Sequence, residues 1–332
     1  MNYHCIKPGC PNHEANLPEE AAQKLEFRCF LCQAELVPPP VPLEKIVDFV
    51  DDLPAAIQIM PKLQVLLSDA NSSISDIIGL IKTDASLVSR IVKASNSAYF
   101  AGSYYCSTIE DAMNRIGFTE AYNIIGYVAA SQLFQQDLPL YGMTSDELWS
   151  SSVRGATCMQ MIGSNLRLVE PYVLPNSGVA YTVGLLRLVG KMLINFFHST
   201  HTIPVLSAVE EPLSPEREKQ LLGFDNLEAA AALLRKWHFQ EEVVSPISHL
   251  QNPMQCEEVR PLACLLGLVS HGIEELPDDT LIEDPKSLRS GFKPNPGLMA
   301  TVNLSSKALL DGLSESTNEF HAFSSSLSTG KS

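Results

Sequence analysis

A helix-start signal recurs along the middle of this chain: a capping residue, an acidic residue three positions later, and apolar residues at helical spacing. In the clearest case Ser73 and Asp76 begin a segment whose isoleucines share one helical face, namely Ile74, Ile77, Ile78 and Ile81. The same pattern recurs at Thr108 with Asp111, Thr144 with Glu147, and Asp225 with Glu228. Gly117 has the character of a helix stop. These patterns predict a succession of α-helices.

Alternating apolar and polar residues, which indicate strands, are nearly absent outside the first 37 residues. The segment Val37–Pro42, "VPPPVP", predicts a stiff, extended boundary. We therefore expect an all-α protein preceded by a small cysteine-rich module. The expected divisions are a module (1–37), a proline-rich linker and helix start (38–49), a helical domain (50–255), a helical and loop extension with a helix near Leu304–Leu313 (256–313), and a disordered tail (314–332).

Composition limits the classes of function. Hydrophobic residues make up 45% of the 332 residues and charged residues 18%, as in globular proteins. The formal net charge of −15 argues against general binding to nucleic-acid backbones, which need clustered Lys and Arg. We find no signal peptide and no uninterrupted apolar window long enough for a membrane helix, so we expect a cytoplasmic protein without membrane attachment.

Four of the eight cysteines lie near the N-terminus, at Cys5, Cys10, Cys29 and Cys32. Two cysteine pairs at short spacing suit tetrahedral zinc, although four residues separate Cys5 and Cys10 instead of the usual two. His4 and His13 are candidate substitutes. A segment with so few apolar residues needs a metal or a partner to fold, which favours a structural zinc-ribbon-like module.

Two alternatives for these cysteines remain, namely four accessible thiols on an unfolded tail, or a redox pair at Cys29 and Cys32. The other cysteines lie in apolar stretches and are expected in the core: Cys106, Cys158, Cys256 and Cys264.

A collinear set of motifs from about residue 50 to 255 resembles the HDOD family, the HD-related output domains of bacterial signalling proteins. The resemblance rests on Leu53-Pro54, Leu66-Leu67 with Asp69, Ile81 with Asp84, Asn96-Ser97-Ala98-Tyr99-Phe100, Thr108–Gly117, Leu148–Ser152, Gly184–Ile194 and Gly223–Trp237. It implies an all-helical, HD-superfamily-like fold and a role in signal transduction.

The resemblance also implies where a catalytic relative would hold metal. Active HD enzymes use His and Asp ligands, and those positions fall here on Ser151, Arg187, Leu188, Asn226, Leu250 and Gln251. None of them is a His or Asp, and His249 lies one residue too early, about 100° around a helix. Arg187 places a fixed positive charge where a cation would sit. We therefore expect no phosphoester hydrolysis by this domain.

Three residues are candidates for contacting a partner or effector: Asn96, Ser97 and Arg187. The alternative for Asn96 and Ser97 is capping of backbone groups at a helix end, with Tyr99 and Phe100 packed beneath. The alternative for Arg187 is pairing with a carboxylate or extension to solvent. Gly184 and Gly190 are expected to allow close approach of helices, because no phosphate-binding glycine motif accompanies them.

These observations leave three functions open. The first is a non-catalytic signalling scaffold that binds a protein partner or a small effector. The second is a degenerate phosphodiesterase with residual activity on nucleotides or cyclic dinucleotides. The third is a nucleic-acid adaptor acting through the zinc module, which is disfavoured because residues 1–37 hold three Lys or Arg against five Glu. We favour the scaffold.

Overall fold

The computed structural model describes most of the chain. The described residues are 2–5, 7, 9–13, 17–34, 36–37, 41–50, 55–68, 73–100, 102, 104–166, 177–206, 209, 212–275 and 292–328. The motif residues Leu53, Pro54 and Asp69 lie outside them. So do residues 38–40 of the proline-rich segment, residues 276–291 of the expected helical and loop extension, and residues 329–332.

Helices dominate the described residues, as the sequence predicts. The strands are β1 (Asn2–Cys5), β2 (Leu17–Pro18) and β3 (Leu36–Val37). The helices are α1 (Glu19–Lys24), α2 (Leu43–Asp48), α3 (Ala55–Ser68), α4 (Ile74–Ile81), α5 (Ala85–Ser95), α6 (Ile109–Leu133), α7 (Ser145–Asn165), α8 (Ser177–Leu186), α9 (Val189–His201), α10 (Pro215–Leu222), α11 (Asn226–Lys236), α12 (Glu241–Ser248), α13 (Arg260–Glu275), α14 (Pro296–Thr301) and α15 (Ser306–Ser328). Short 3₁₀ turns occupy Pro11–His13, Ala98–Phe100, Pro139–Tyr141, Pro204–Leu206 and Pro253–Gln255.

The predicted helix starts are present with their hydrogen bonds. Ser73 and Thr144 each form a full capping box, with Asp76 and Glu147 respectively. Ile77, Ile78 and Ile81 are buried as expected, but Ile74 is 51% exposed because it occupies the first position of α4. At Gly117 the backbone takes a φ of 77° and breaks α6, after which the helix resumes and runs on to Leu133. The predicted stop is therefore a kink that glycine makes accessible.

The chain divides into two compact units. The first comprises Met1–Asp51, Leu138–Met143 and Val189–Leu233, and the second comprises Asp52–Asp137, Thr144–Leu188 and Leu234–Ser332. The cysteine-rich module therefore belongs to a larger unit, and segments of the region expected as one domain (50–255) fall in both. In the first unit α2 packs on α9. In the second, α7 lies against α6, α8, α13 and α15.

The N-terminal strands form a small antiparallel sheet in the order β2-β1-β3. Its apolar core is small and consists of Tyr3, Ala22, Leu36 and three of the four cysteines. Very little apolar surface is therefore available to hold this module together.

The expectation of a disordered tail from residue 314 is wrong for the described residues, because α15 continues to Ser328. Its second half is anchored by packing. Phe320 is 6% exposed and lies edge-on to Trp149, with 5.0 Å between the ring centres. The Arg154 guanidinium donates to Thr317 Oγ1 over 3.1 Å. The serine-rich composition of this segment resembles that of a flexible tail, and only these contacts reveal the helix.

Two glycines allow close backbone contact, as predicted. A Cβ at Gly184 in α8 would lie closer than 3.0 Å to the Gly155 carbonyl group of α7. A Cβ at Gly190 in α9 would lie closer than 3.0 Å to the carbonyl oxygen of Asn226. In both cases the obstacle is backbone, which cannot move aside as a flexible side chain can.

We predict that Gly184→Ala lowers the free energy of unfolding by about 1–3 kcal/mol, because the added methyl group forces α7 and α8 apart. Urea denaturation followed by circular dichroism measures this change. The matched control is Gly79→Ala in α4, where nothing lies within 4 Å of the new Cβ. There the substitution should be neutral or stabilising by up to about 1 kcal/mol. Equal effects of both substitutions would contradict the packing argument.

Candidate functional site

The four N-terminal cysteines converge on one point. Their sulfur atoms all lie within 4.8 Å of one another. Cys5 and Cys32 are separated by 3.4 Å, Cys10 and Cys32 by 3.6 Å, and Cys10 and Cys29 by 3.7 Å. None of the eight cysteines forms a disulfide bond. Four thiolates around one tetrahedral zinc at 2.3 Å would be spaced by about 3.8 Å, so the donor set fits this ion.

Local backbone structure brings the two pairs together. Cys5 ends β1, and Cys10 begins the turn that leads into Pro11–His13. Cys29 and Cys32 lie on a tight turn in which the Gln33 amide donates to the Cys29 carbonyl over 2.8 Å. Gln33 adopts a left-handed conformation, with a φ of 61°. The two-residue gap of "CFLC" therefore places both sulfurs on the same side of the turn.

Hydrogen-bond donors surround the sulfur atoms. The Lys7 amide donates to Cys5 Sγ over 3.4 Å, and the Asn12 side-chain amide donates to Cys29 Sγ over 3.3 Å. Burial raises the pKa of the Cys29 thiol, but the amides of Cys32, Leu31 and Asn12 outweigh burial and bring that pKa to about 6. At Cys29 these donors stabilise the thiolate, the form that binds metal, whereas burial raises the pKa of the Cys5 thiol to about 12. Sequence reasoning missed Lys7 and Asn12, whose only signal was their position beside the cysteines.

The proposed histidine substitutes lie outside the cysteine cluster. Nδ1 of His13 forms a hydrogen bond of 2.6 Å with the carbonyl oxygen of Cys5. The rings of His4 and His13 meet edge-on at 5.8 Å. Among the described residues, the four cysteines are the one group of three or more His, Cys, Asp or Glu side chains placed to hold an ion. The other cysteines are buried in the core as predicted: Cys106, Cys158, Cys256 and Cys264.

Arg187 is enclosed between α7 and α8. It is 2% exposed and donates to the Gly184 carbonyl over 3.0 Å and to Ser151 Oγ over 2.6 Å. Arg187 therefore does not reach solvent; the Glu274 carboxylate attracts its charge, but among the described residues the two form no salt bridge within 4 Å. Gly155 and Gly184 leave room for the guanidinium, since a Cβ at Gly155 would lie within 3.0 Å of it. Burial lowers the pKa of Arg187 to about 10, so its charge persists at neutral pH.

The other positions at which the family resemblance implies metal ligands hold residues that are buried, hydrogen-bonded within the protein or exposed to solvent. Leu188 is 6% exposed. Asn226, in the first unit, donates from its backbone and side chain to Glu218 Oε2 over 2.6 and 2.8 Å. Leu250 is half-buried and Gln251 is exposed. Nδ1 of His249 bonds to the Ser245 carbonyl oxygen over 2.8 Å, as a helix-terminal residue does.

Asn96 ties two segments of backbone together. Its side chain donates to the carbonyl groups of Val92 and Cys106 and accepts from the Cys106 amide, each over 2.9 Å. The structural role of Asn96 is thereby confirmed. Among the described residues, Ser97 Oγ is buried without a hydrogen-bond partner. Tyr99 does not pack beneath this turn as expected; it is 42% exposed.

One helical stretch, Gly178–His201, is long and apolar enough to cross a membrane. However, 89% of its apolar window is buried within the protein. Burial of this kind is typical of core helices, which pack against protein on all sides.

Comparison with known proteins places these features in a family. The sequence model of the HDOD domain matches residues 53–253. A protein of Treponema pallidum (strain Nichols) named "Uncharacterized protein" is 27% identical over 255 residues, which are 75% of this chain and 47% of the relative. The chain thus spans about half the length of that curated relative.

Two solved structures share the fold. An HDOD domain protein of unknown function from Geobacter sulfurreducens superimposes with a TM-score of 0.64 at 21% identity, covering 86% of this chain and 96% of that one. A structure from Shewanella amazonensis SB2B, named "Putative phosphohydrolase", superimposes with a TM-score of 0.59 at 22% identity, covering 87% and 98%. The match of the HDOD sequence model to residues 53–253 shows that this chain belongs to the HDOD domain family, in agreement with the collinear motifs and the helical architecture.

Proposed function

We propose that this chain is a non-catalytic signalling scaffold whose degenerate HDOD domain binds a protein partner or a small effector. The observation that carries the proposal is the buried guanidinium of Arg187. It occupies the position at which the family resemblance implies a metal ligand, and it donates to Ser151, the residue at another such position. The residues at these two positions are therefore hydrogen-bonded to each other.

This arrangement is unfavourable for a divalent cation. A guanidinium cannot act as a ligand, because all its polar hydrogens are donors and its charge repels a metal ion. Leu188 contributes only apolar groups to its surroundings. Metal-assisted hydrolysis requires a bound ion that polarises the phosphate and generates hydroxide, so loss of the ligands removes the source of the chemistry.

The four-cysteine cluster supports a second part of the proposal, namely that the N-terminal module holds a structural zinc ion. Cys5, Cys10, Cys29 and Cys32 would supply four thiolates and fill the tetrahedral coordination sphere, leaving no open position for a substrate. Zinc there would replace the large apolar core that the module lacks.

The acidic composition supports a scaffold without general affinity for nucleic acids. A net charge of −15 repels phosphate backbones, and residues 1–37 contain no basic cluster. The partner is accordingly expected to be a protein or a small molecule.

We predict that the purified full-length chain does not hydrolyse a cyclic dinucleotide or bis(p-nitrophenyl) phosphate above the buffer rate, with Mn²⁺ or Mg²⁺ added. His249 is the nearest remaining histidine to a ligand position, so His249→Ala should behave identically. Chromatography of the reaction products measures hydrolysis by the native chain and by His249→Ala. Turnover by the native chain that His249→Ala abolishes would overturn the proposal in favour of a degenerate phosphodiesterase.

We predict about one zinc ion per chain by metal analysis of the purified protein, because four thiolates form one closed site. Cys32→Ser should lower the zinc content. His13→Gln is the matched control and should leave it unchanged, since His13 Nδ1 is bonded to the Cys5 carbonyl group. A zinc content far below one per chain would contradict the proposal and favour free thiols or a redox pair.

A further inference from the structure

A cavity of about 230 Å³ lies within the second unit, between α6, α7, α8, α15 and the 3₁₀ turn that contains Tyr99. Its lining has two notable kinds of side chain. Four are aromatic and two are carboxylates: Tyr99, Tyr127, Tyr181, Phe320, Glu120 and Glu319. Among the lining residues that the structure describes, none is a Lys, Arg or His. The cavity is separate from Arg187 and from the cysteine cluster.

The aromatic rings are held in fixed positions. Tyr127 and Phe320 each lie edge-on to Trp149, with ring centres 5.1 and 5.0 Å from it. Tyr181 is 2% exposed, and its hydroxyl group donates to the Asn123 carbonyl over 2.9 Å. Gly126 makes room for that ring, since a Cβ there would lie closer than 3.0 Å to it. The walls therefore need little reorganisation to receive a ligand.

The two carboxylates lie close together without a basic side chain among the described residues of the cavity wall. Among the described residues neither Glu120 nor Glu319 forms a salt bridge, and both are only partly exposed. Burial raises the pKa of each, and the neighbouring charges of Glu120 and Glu315 raise that of Glu319 further. Two half-buried like charges are costly unless a cation joins them.

Two of the neutral polar side chains in the cavity are already engaged. The side-chain amides of Asn123 and Gln160 bond to each other reciprocally over 2.9 and 3.1 Å. Asn123 also lowers the pKa of Glu120, although burial raises it by more. Of the lining groups that the structure describes, Glu120 and Glu319 are the charged ones, so the charge offered to a ligand is negative.

We propose that this cavity binds a small organic cation that carries an ammonium group. Aromatic faces attract such cations through their π-electrons, and the two carboxylates supply the opposite charge. A bare divalent metal fits less well. Mg²⁺ and Ca²⁺ take six or more oxygen ligands, whereas much of this cavity wall is aromatic. The proposal rests on the proposed scaffold function and deepens it, because it names the chemical class of effector.

Isothermal titration of the full-length protein with tetramethylammonium chloride, and separately with 1,4-diaminobutane, tests the proposal at constant ionic strength. We expect saturable binding of at least one probe. Fluorescence offers a local readout, because Trp149 contacts two of the wall rings.

Glu120→Gln and Glu319→Gln should each weaken binding by about tenfold, as expected for loss of roughly 1.4 kcal/mol of charge attraction. Tyr99→Ala should weaken it several-fold without affecting folding, because Tyr99 is partly exposed. Asp311→Asn is the matched control: it removes one carboxylate from α15 at an exposed position outside this cavity, and should leave binding unchanged.

Absence of saturable binding of both probes would overturn the proposal, as would equal binding by the native protein, Glu120→Gln and Glu319→Gln. Either result would leave the non-catalytic scaffold intact, since that function is tested separately by the hydrolysis assay. Conversely, hydrolysis by the native protein would overturn the scaffold without removing a cation site.

Discussion

The close contact between α7 and α8 at Gly155 and Gly184 is the constraint on which the second unit depends. Because neither residue has a side chain, backbone meets backbone, and the space beside the contact admits the Arg187 guanidinium. The same two helices also carry side chains that contact other helices of the second unit. Thr182 of α8 bonds to Tyr122 and Gln64, which connects α8 to α6 and α3. Residues of α7 also line the candidate cation cavity and anchor α15. Separating α7 from α8 would therefore disturb all of these contacts.

The two units stabilise their buried charged side chains in different ways. In the second unit, a carbonyl oxygen and a hydroxyl group accept hydrogen bonds from Arg187, and the Glu274 carboxylate attracts its charge. In the first unit, burial raises the pKa of Glu218, and Tyr141 and Asn226 donate to its oxygens. Arg187 and Asn226 both lie at positions where the family resemblance implies metal ligands. Each of them forms hydrogen bonds with polar groups of the protein, so neither side chain is buried without a partner.

The cysteine-rich module has too little apolar core for its size. Its cysteines form a large share of the buried residues, and amide hydrogens point at their sulfur atoms. The zinc ion that we propose would stabilise this module, because metal–sulfur bonds would supply the free energy that burial cannot.

The sequence by itself determined the helix starts, the kink at Gly117, the close contact at Gly184 and the four converging cysteines. These features depend on local geometry and residue type: capping hydrogen bonds span three residues, and only glycine lacks a Cβ. It also indicated the HDOD family, through collinear motifs. Only the tertiary structure decided that Arg187 is buried against Ser151 and the Gly184 carbonyl, that α15 continues through a serine-rich segment, and that Glu120 and Glu319 share one aromatic cavity. Those facts depend on contacts between residues up to about 200 positions apart in the sequence, and no local pattern records which distant side chains will meet.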